Sequence, residues 1–124
     1  MKANRPKYLN LLAIRLPLPG VVSILHRVSG FGLFLLIPLL LWLLDSSLRS
    51  AESYAAVRAM FAHPLAKLLA LGIIWAVLHH FFAGLRFLAL DLHWGSELGT
   101  TRRVSKLVLV SSLVLTILAG AWLW

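Results

Sequence analysis

Residues Leu65–Leu92 read LAKLLALGIIWAVLHHFFAGLRFLALDL, and their reading decides the fold. The only formal charges are Lys67 near one end and Arg86 and Asp91 near the other. About 20 apolar residues cross a bilayer as an α-helix, so the stretch is long enough to span. Isolated strands are excluded, because their backbone N–H and C=O groups would go unpaired in lipid. Two more stretches share this character. Val21–Leu48 carries Val28–Leu44 with no charge, and Val104–Trp124 has only Lys106, at its start. The sequence therefore predicts an all-α membrane protein with three transmembrane helices, at about residues 21–48, 65–92 and 104–124 of a single domain covering 1–124. Reading the first stretch as a cleaved signal peptide is disfavoured. Its apolar run is too long, and no small-residue cleavage site follows it.

Composition points the same way. Of 124 residues, 60% are hydrophobic and 13% charged. Soluble domains run at about 45–50% and about 25%. So apolar a chain is not disordered. There is no cysteine, which excludes disulfides, zinc–thiolate sites and cysteine-ligated clusters within the chain. Twelve Lys and Arg stand against four Asp and Glu, a net charge of +8. Such a balance suggests nucleic acid in a soluble protein, but these charges cluster just outside the apolar runs. No nucleic-acid partner is expected.

Charge placement also predicts direction. Lys2, Arg5, Lys7, Arg15 and Arg27 lie at the start of the first span, and Arg86, Arg102, Arg103 and Lys106 lie around the second connection. The first connection has only Arg49, Arg58 and Lys67. The positive-inside rule then places the N-terminus inside and the C-terminus outside. Trp42, Trp94, Trp122 and Trp124 fall near span ends, as an aromatic belt or as simple packing. Pro17, Pro19 and Gly20 break the chain before the first span, so Met1–Gly20 is expected as an inner-surface arm. A short helix is expected in the polar connection Asp45–His63.

Ionisable groups at membrane depth are expensive unless paired, so each is a functional candidate. Ser23 and Arg27 are four residues apart and share a helical face, which Gly30 extends with empty space. A hydroxyl beside a guanidinium can hold a polarised carbonyl or a carboxylate. Alternatively, Arg27 snorkels to lipid phosphate and Ser23 bonds its own backbone. In the second span, Gly72, Ala76, His80 and Gly84 recur every four residues. Small residues there let a helix, or a flat macrocycle, approach the backbone. An imidazole on such a face suits haem iron, or else bonds a neighbouring carbonyl. His79 points roughly 100° away and is the less favourable of the pair. Asp91 lies three turns beyond His80 and returns to its face. No second histidine is an obvious opposite ligand, so a six-coordinate haem would need another chain.

These residues fall into two motifs. One is Arg5-Pro6, then apolar Leu11 and Leu18, then Ser23-x-x-His26-Arg27-x-Ser29. The other is His80-x-x-x-Gly84-Leu85-Arg86-Phe87-Leu88-Ala89-Leu90-Asp91. At this spacing the chain resembles the cytochrome b556 membrane-anchor subunits of bacterial succinate dehydrogenase, respiratory complex II, over essentially its whole length. The resemblance implies that His80 is an axial ligand of haem b. It implies that Ser23 and Arg27 bind ubiquinone, that His26 and Arg27 lie near the haem propionates, and that Asp91 lies at the quinone-side interface. It implies four kinds of partner: a second membrane-anchor subunit supplying the other haem ligand, an iron–sulfur subunit, a flavoprotein subunit and the lipid bilayer. The location implied is the bacterial inner membrane. Lys7 departs from the family's apolar preference, and Phe87 stands where many members have a second histidine.

The expected function is to anchor succinate dehydrogenase and help pass electrons from the iron–sulfur subunit to quinone. The chain has no activity expected of it alone, since it lacks flavin and iron–sulfur motifs. The alternatives are a fumarate reductase anchor and a structural anchor without haem. A small transporter with Arg27 and Arg86 along an anion path lacks the broken helices such proteins use.

Overall fold

The computed structural model describes residues 15–124. It contains four helices: α1 (Leu18–Arg49), α2 (Ala51–Met60), α3 (Pro64–Asp91) and α4 (Leu98–Leu123). Helices α1, α3 and α4 are each long and apolar enough to cross a membrane. Most of the N-terminal arm, with Arg5, Pro6, Lys7 and Leu11, lies outside the described residues.

Two spans begin earlier than the sequence predicts. Pro17 is the N-cap of α1, and Pro19 sits in the first turn. A proline there costs nothing, since the opening N–H groups have no helical partner anyway. The breakers before the first span are therefore its start signal. Helix α4 starts at Leu98, not near Val104. Its first turns are polar (Thr100, Thr101, Arg102, Arg103), so hydropathy marks where α4 meets lipid and not where it begins.

The connections are built from local caps. Ser50 and Ser53 form a capping box at the start of α2, each hydroxyl accepting from the other's backbone N–H. Such a box satisfies two orphan donors at once. No residue of α2 is buried, as suits a helix lying outside the bundle. His63 caps α3, its Nδ1 accepting from Leu65 N–H at 3.2 Å. After α3 the chain turns through a Schellman motif. Trp94 N–H donates to the Ala89 carbonyl and His93 N–H to the Leu90 carbonyl, both at 2.9 Å. That motif requires a left-handed residue, a place usually taken by glycine. Here it is His93, at φ 61°, with Gly95 following at φ 73°.

Helix α3 packs against both α1 and α4, and α1 also touches α4. The core is one residue from each span, Val22, Ala83 and Val108, with Phe82 and Leu109 packed against it. The rest of the apolar surface faces outward, and Phe31, Phe34, Leu68 and Ile117 are each about two-thirds exposed. In a membrane protein this is the lipid- and partner-facing surface. On α4, Ser105, Ser112 and Thr116 are buried. Each donates to a carbonyl of its own helix, at 2.7–2.9 Å. They act as small side chains that allow close packing.

Candidate functional site

Helices α1 and α3 meet through two histidines. The rings of His26 and His80 stack with centroids 4.2 Å apart and planes 7° from parallel. Each ring lies over a glycine of the opposite helix. A Cβ on Gly30 would come within 2.7 Å of His80 Cε1, and one on Gly84 would lie 3.7 Å from His26 Nε2. Gly30 is therefore required by the close approach of the ring. Phe87 tilts against the other side of the pocket, 5.1 Å from the His26 ring.

The hydrogen bonds orient the ring of His80. Its Nδ1 lies 3.1 Å from the His26 carbonyl oxygen and 3.4 Å from Ser29 Oγ. A carbonyl only accepts, so Nδ1 carries the proton and donates. Ser29 Oγ donates to the same carbonyl at 3.0 Å. In the neutral ring Nε2 is then the nitrogen with a free lone pair, and it makes no hydrogen bond among the described residues. An imidazole that donates one N–H to a backbone carbonyl has the arrangement of a metal ligand.

Beside this pair runs a groove of about 430 Å³ between α1 and α3. It is walled by Ser29, Gly32, Leu36, Gly72 and Ala76. Beyond their own helix backbone, Gly32 and Gly72 have nothing among the described residues within 4 Å of where a Cβ would stand. The four-residue stripe thus plays two parts. Gly84 takes the His26 ring, whereas Gly72 and Ala76 leave open space.

The other expected site residues are placed less tightly. Ser23 is half-buried and Arg27 exposed, one turn apart on α1. They share a face, with no hydrogen bond between them, and Arg27 has no ion pair among the described residues. Asp91 is exposed at the end of α3. The described ion pair of the chain is elsewhere, between Asp45 and Arg49 at the opposite end of α1.

Three residues carry more structure than their sequence context signals. His79 is fully buried, stacked on Trp75 at 5.1 Å, with both ring nitrogens lacking a hydrogen-bond partner among the described residues. It faces the bundle interior, away from the His80 face, as its 100° offset requires. Phe87 is a wall of the His26 site. Arg86 reads in the sequence as a topology charge, yet it is only 6% exposed. Its seven-residue distance from His79 returns it to that residue's face, a signal present in the sequence.

The comparisons with known proteins agree with this architecture. Residues 1–119 match the family described as "Succinate dehydrogenase/Fumarate reductase transmembrane subunit". The chain is 38% identical to the succinate dehydrogenase cytochrome b556 subunit of Coxiella burnetii over the full length of both proteins. It is 32% identical to the Paracoccus denitrificans protein of the same name, over 94% of this chain and 90% of that one. The Rickettsia felis protein of that name is 29% identical over 93% of this chain and 90% of its own. Three spans, a full-length match and these relatives lead to one conclusion: the chain belongs to the succinate dehydrogenase cytochrome b556 membrane-subunit family.

Proposed function

We propose that this chain anchors a succinate-oxidising flavoprotein–iron–sulfur pair to the bacterial inner membrane and, with a second membrane subunit, holds haem b and ubiquinone. The observation that carries the reading is the state of His80. Its Nδ1 contacts the His26 carbonyl, which leaves Nε2 as the ligand nitrogen, and one turn away on α3 Ala76 lines an open, small-residue groove. A porphyrin brings four ligands of its own, so one imidazole from this chain suffices. His26 is not the opposite ligand, since a ring stacked flat on His80 cannot face it across an iron. The second axial ligand is assigned to the partner subunit. A b-type haem bound there supplies one-electron redox chemistry, and the chain contributes position and electrostatics.

The remaining residues take roles around it. Ser23 hydrogen-bonds a quinone carbonyl from the half-buried face of α1. Arg27, exposed and unpaired among the described residues, stabilises negative charge developing on the quinone oxygen. His26 and Arg27 flank the haem propionates. Asp91 lies at the quinone-side interface with the iron–sulfur subunit. The excess of Lys and Arg around the α3–α4 turn and the N-terminal arm supports an inside N-terminus. The names of the relatives favour succinate oxidation over fumarate reduction as the physiological direction.

The visible spectrum of the purified complex tests the ligand. A His80→Ala complex is expected to lose the bis-histidine b-type haem bands. An unaltered haem spectrum would overturn the assignment.

A further inference from the structure

Arg86 is a cation with no counter-ion among the described residues. It is only 6% exposed, and its Nε is buried with no partner. Every side-chain carboxylate in the sequence belongs to Asp45, Glu52, Asp91 or Glu97. None forms an ion pair with Arg86, and Asp45 is taken by Arg49. A favourable neighbour is the Phe87 ring, 5.3 Å from the guanidinium carbon. A charge held at membrane depth is costly unless paired, and no carboxylate of the described residues answers this one.

The haem side is not its source. Arg86 lies six residues beyond His80, roughly 120° around the helix from that ring. It faces the α3–α4 seam instead, where it lines two adjoining cavities of about 290 and 240 Å³. Both are also lined by Ala89 and Val104, so they meet at Arg86. Their chemistry differs. One runs along α3 and α4 between Phe82, Leu85 and Leu107, which is apolar and open to the side. The other lies at the helix ends, against Trp94, Gly95, Thr100 and Thr101. Thr101 is committed to the turn, donating to the Gly95 carbonyl at 2.7 Å. Thr100 is exposed in the first turn of α4, and α4 has no side-chain cap on its opening amides. Free amides at a helix start attract anions. Arg102, Arg103 and Lys106 stand exposed on the same two turns and add positive potential.

We propose that this seam binds one anionic phospholipid, its phosphate held between Arg86 and the start of α4 and one acyl chain lying in the apolar groove. The slot is divided as the lipid is: a cationic, hydroxyl-bearing end at the membrane boundary and a greasy channel leading inward. A partner carboxylate would answer the charge but not the channel.

The test uses the purified, delipidated assembly, titrated with phosphatidylglycerol, phosphatidylcholine or inorganic phosphate. Bound lipid is counted by native mass spectrometry, and the melting temperature is followed in parallel. Phosphatidylglycerol is expected to bind and raise the melting temperature, phosphatidylcholine to do so less, and inorganic phosphate not at all. Arg86→Gln is expected to weaken phosphatidylglycerol binding by about tenfold or more, the cost of one charge-assisted hydrogen bond, and Arg86→Lys by less. Leu107→Trp, at an exposed groove position, is expected to weaken it without touching the charge. The wild-type titration stands even if the arginine variants fail to assemble. Equal binding of the two lipids, full binding by Arg86→Gln, stabilisation by phosphate alone, or a partner carboxylate bonded to Arg86 in the assembled complex would each overturn the proposal.

Discussion

The backbone carbonyl of His26 accepts the Nδ1 proton of His80 across the α1–α3 seam, at 3.1 Å, while the two rings lie face to face. One residue thus both orients and packs its partner. The bond holds only while the His80 ring can sit against the bare backbone of Gly30.

Gly30→Ala is therefore expected to act on the haem before it acts on the fold. The new methyl would stand 2.7 Å from Cε1, so the ring must move and lose its carbonyl. Losing an orienting partner of this kind weakens a metal site by roughly 10- to 100-fold. The haem-to-protein ratio of the purified complex measures it. Gly20→Ala, where the nearest atoms are at ordinary contact distances from 3.7 Å, is expected to keep its haem. Full haem in both variants would contradict the orienting role.

Arg27→Ala should separate two activities. Loss of one charge-assisted contact in the transition state lowers the rate by roughly 10- to 100-fold. Quinone reduction is expected to fall by that amount, while succinate oxidation by a soluble dye persists. Equal loss of both would remove Arg27 from the quinone site.

The absence of cysteine makes the direction of insertion measurable, because any introduced thiol is the sole one in this chain. Ser96→Cys, in the α3–α4 turn, is expected to react with an impermeant maleimide only from the cytoplasmic side. Ala55→Cys, on exposed α2, is expected to react only from the other side. The reverse pattern would invert the topology.

His93→Gly is expected to be neutral or stabilising. The left-handed conformation costs a side chain about 1–2 kcal/mol. Glycine escapes that strain but gives back roughly 0.5–1 kcal/mol of chain entropy. His93→Val adds β-branching at the same angle and is expected to lower the melting temperature of the complex. A stabilising valine would show that the turn does not hold this geometry.

Periodicity carries far in this sequence, and its reach has a physical limit. The apolar runs announce three helices because lipid permits little else. The spacing of Gly72, Ala76, His80 and Gly84 announces one face because a helix repeats every 3.6 residues. What lies opposite that face is not periodic information. Nothing in the order of residues says that His26 stacks on His80, that Phe87 walls the pocket, or that Gly30 must be bare. Arg86 shows the limit most clearly. A cation near a span end reads as a topology signal, and although its spacing puts it on the face of His79, only packing against α4 reveals that this face is enclosed. The start of α4 was hidden differently, since a polar helical turn at the membrane boundary carries no hydropathy mark.

The buried hydroxyls of Ser105, Ser112 and Thr116 have a practical corollary. Because each is satisfied by its own helix, α4 asks its neighbours for slimness and little else. Alanine in their places should be tolerated, and the outward side of that helix is a suitable mount for a spectroscopic reporter that leaves the histidine pair undisturbed.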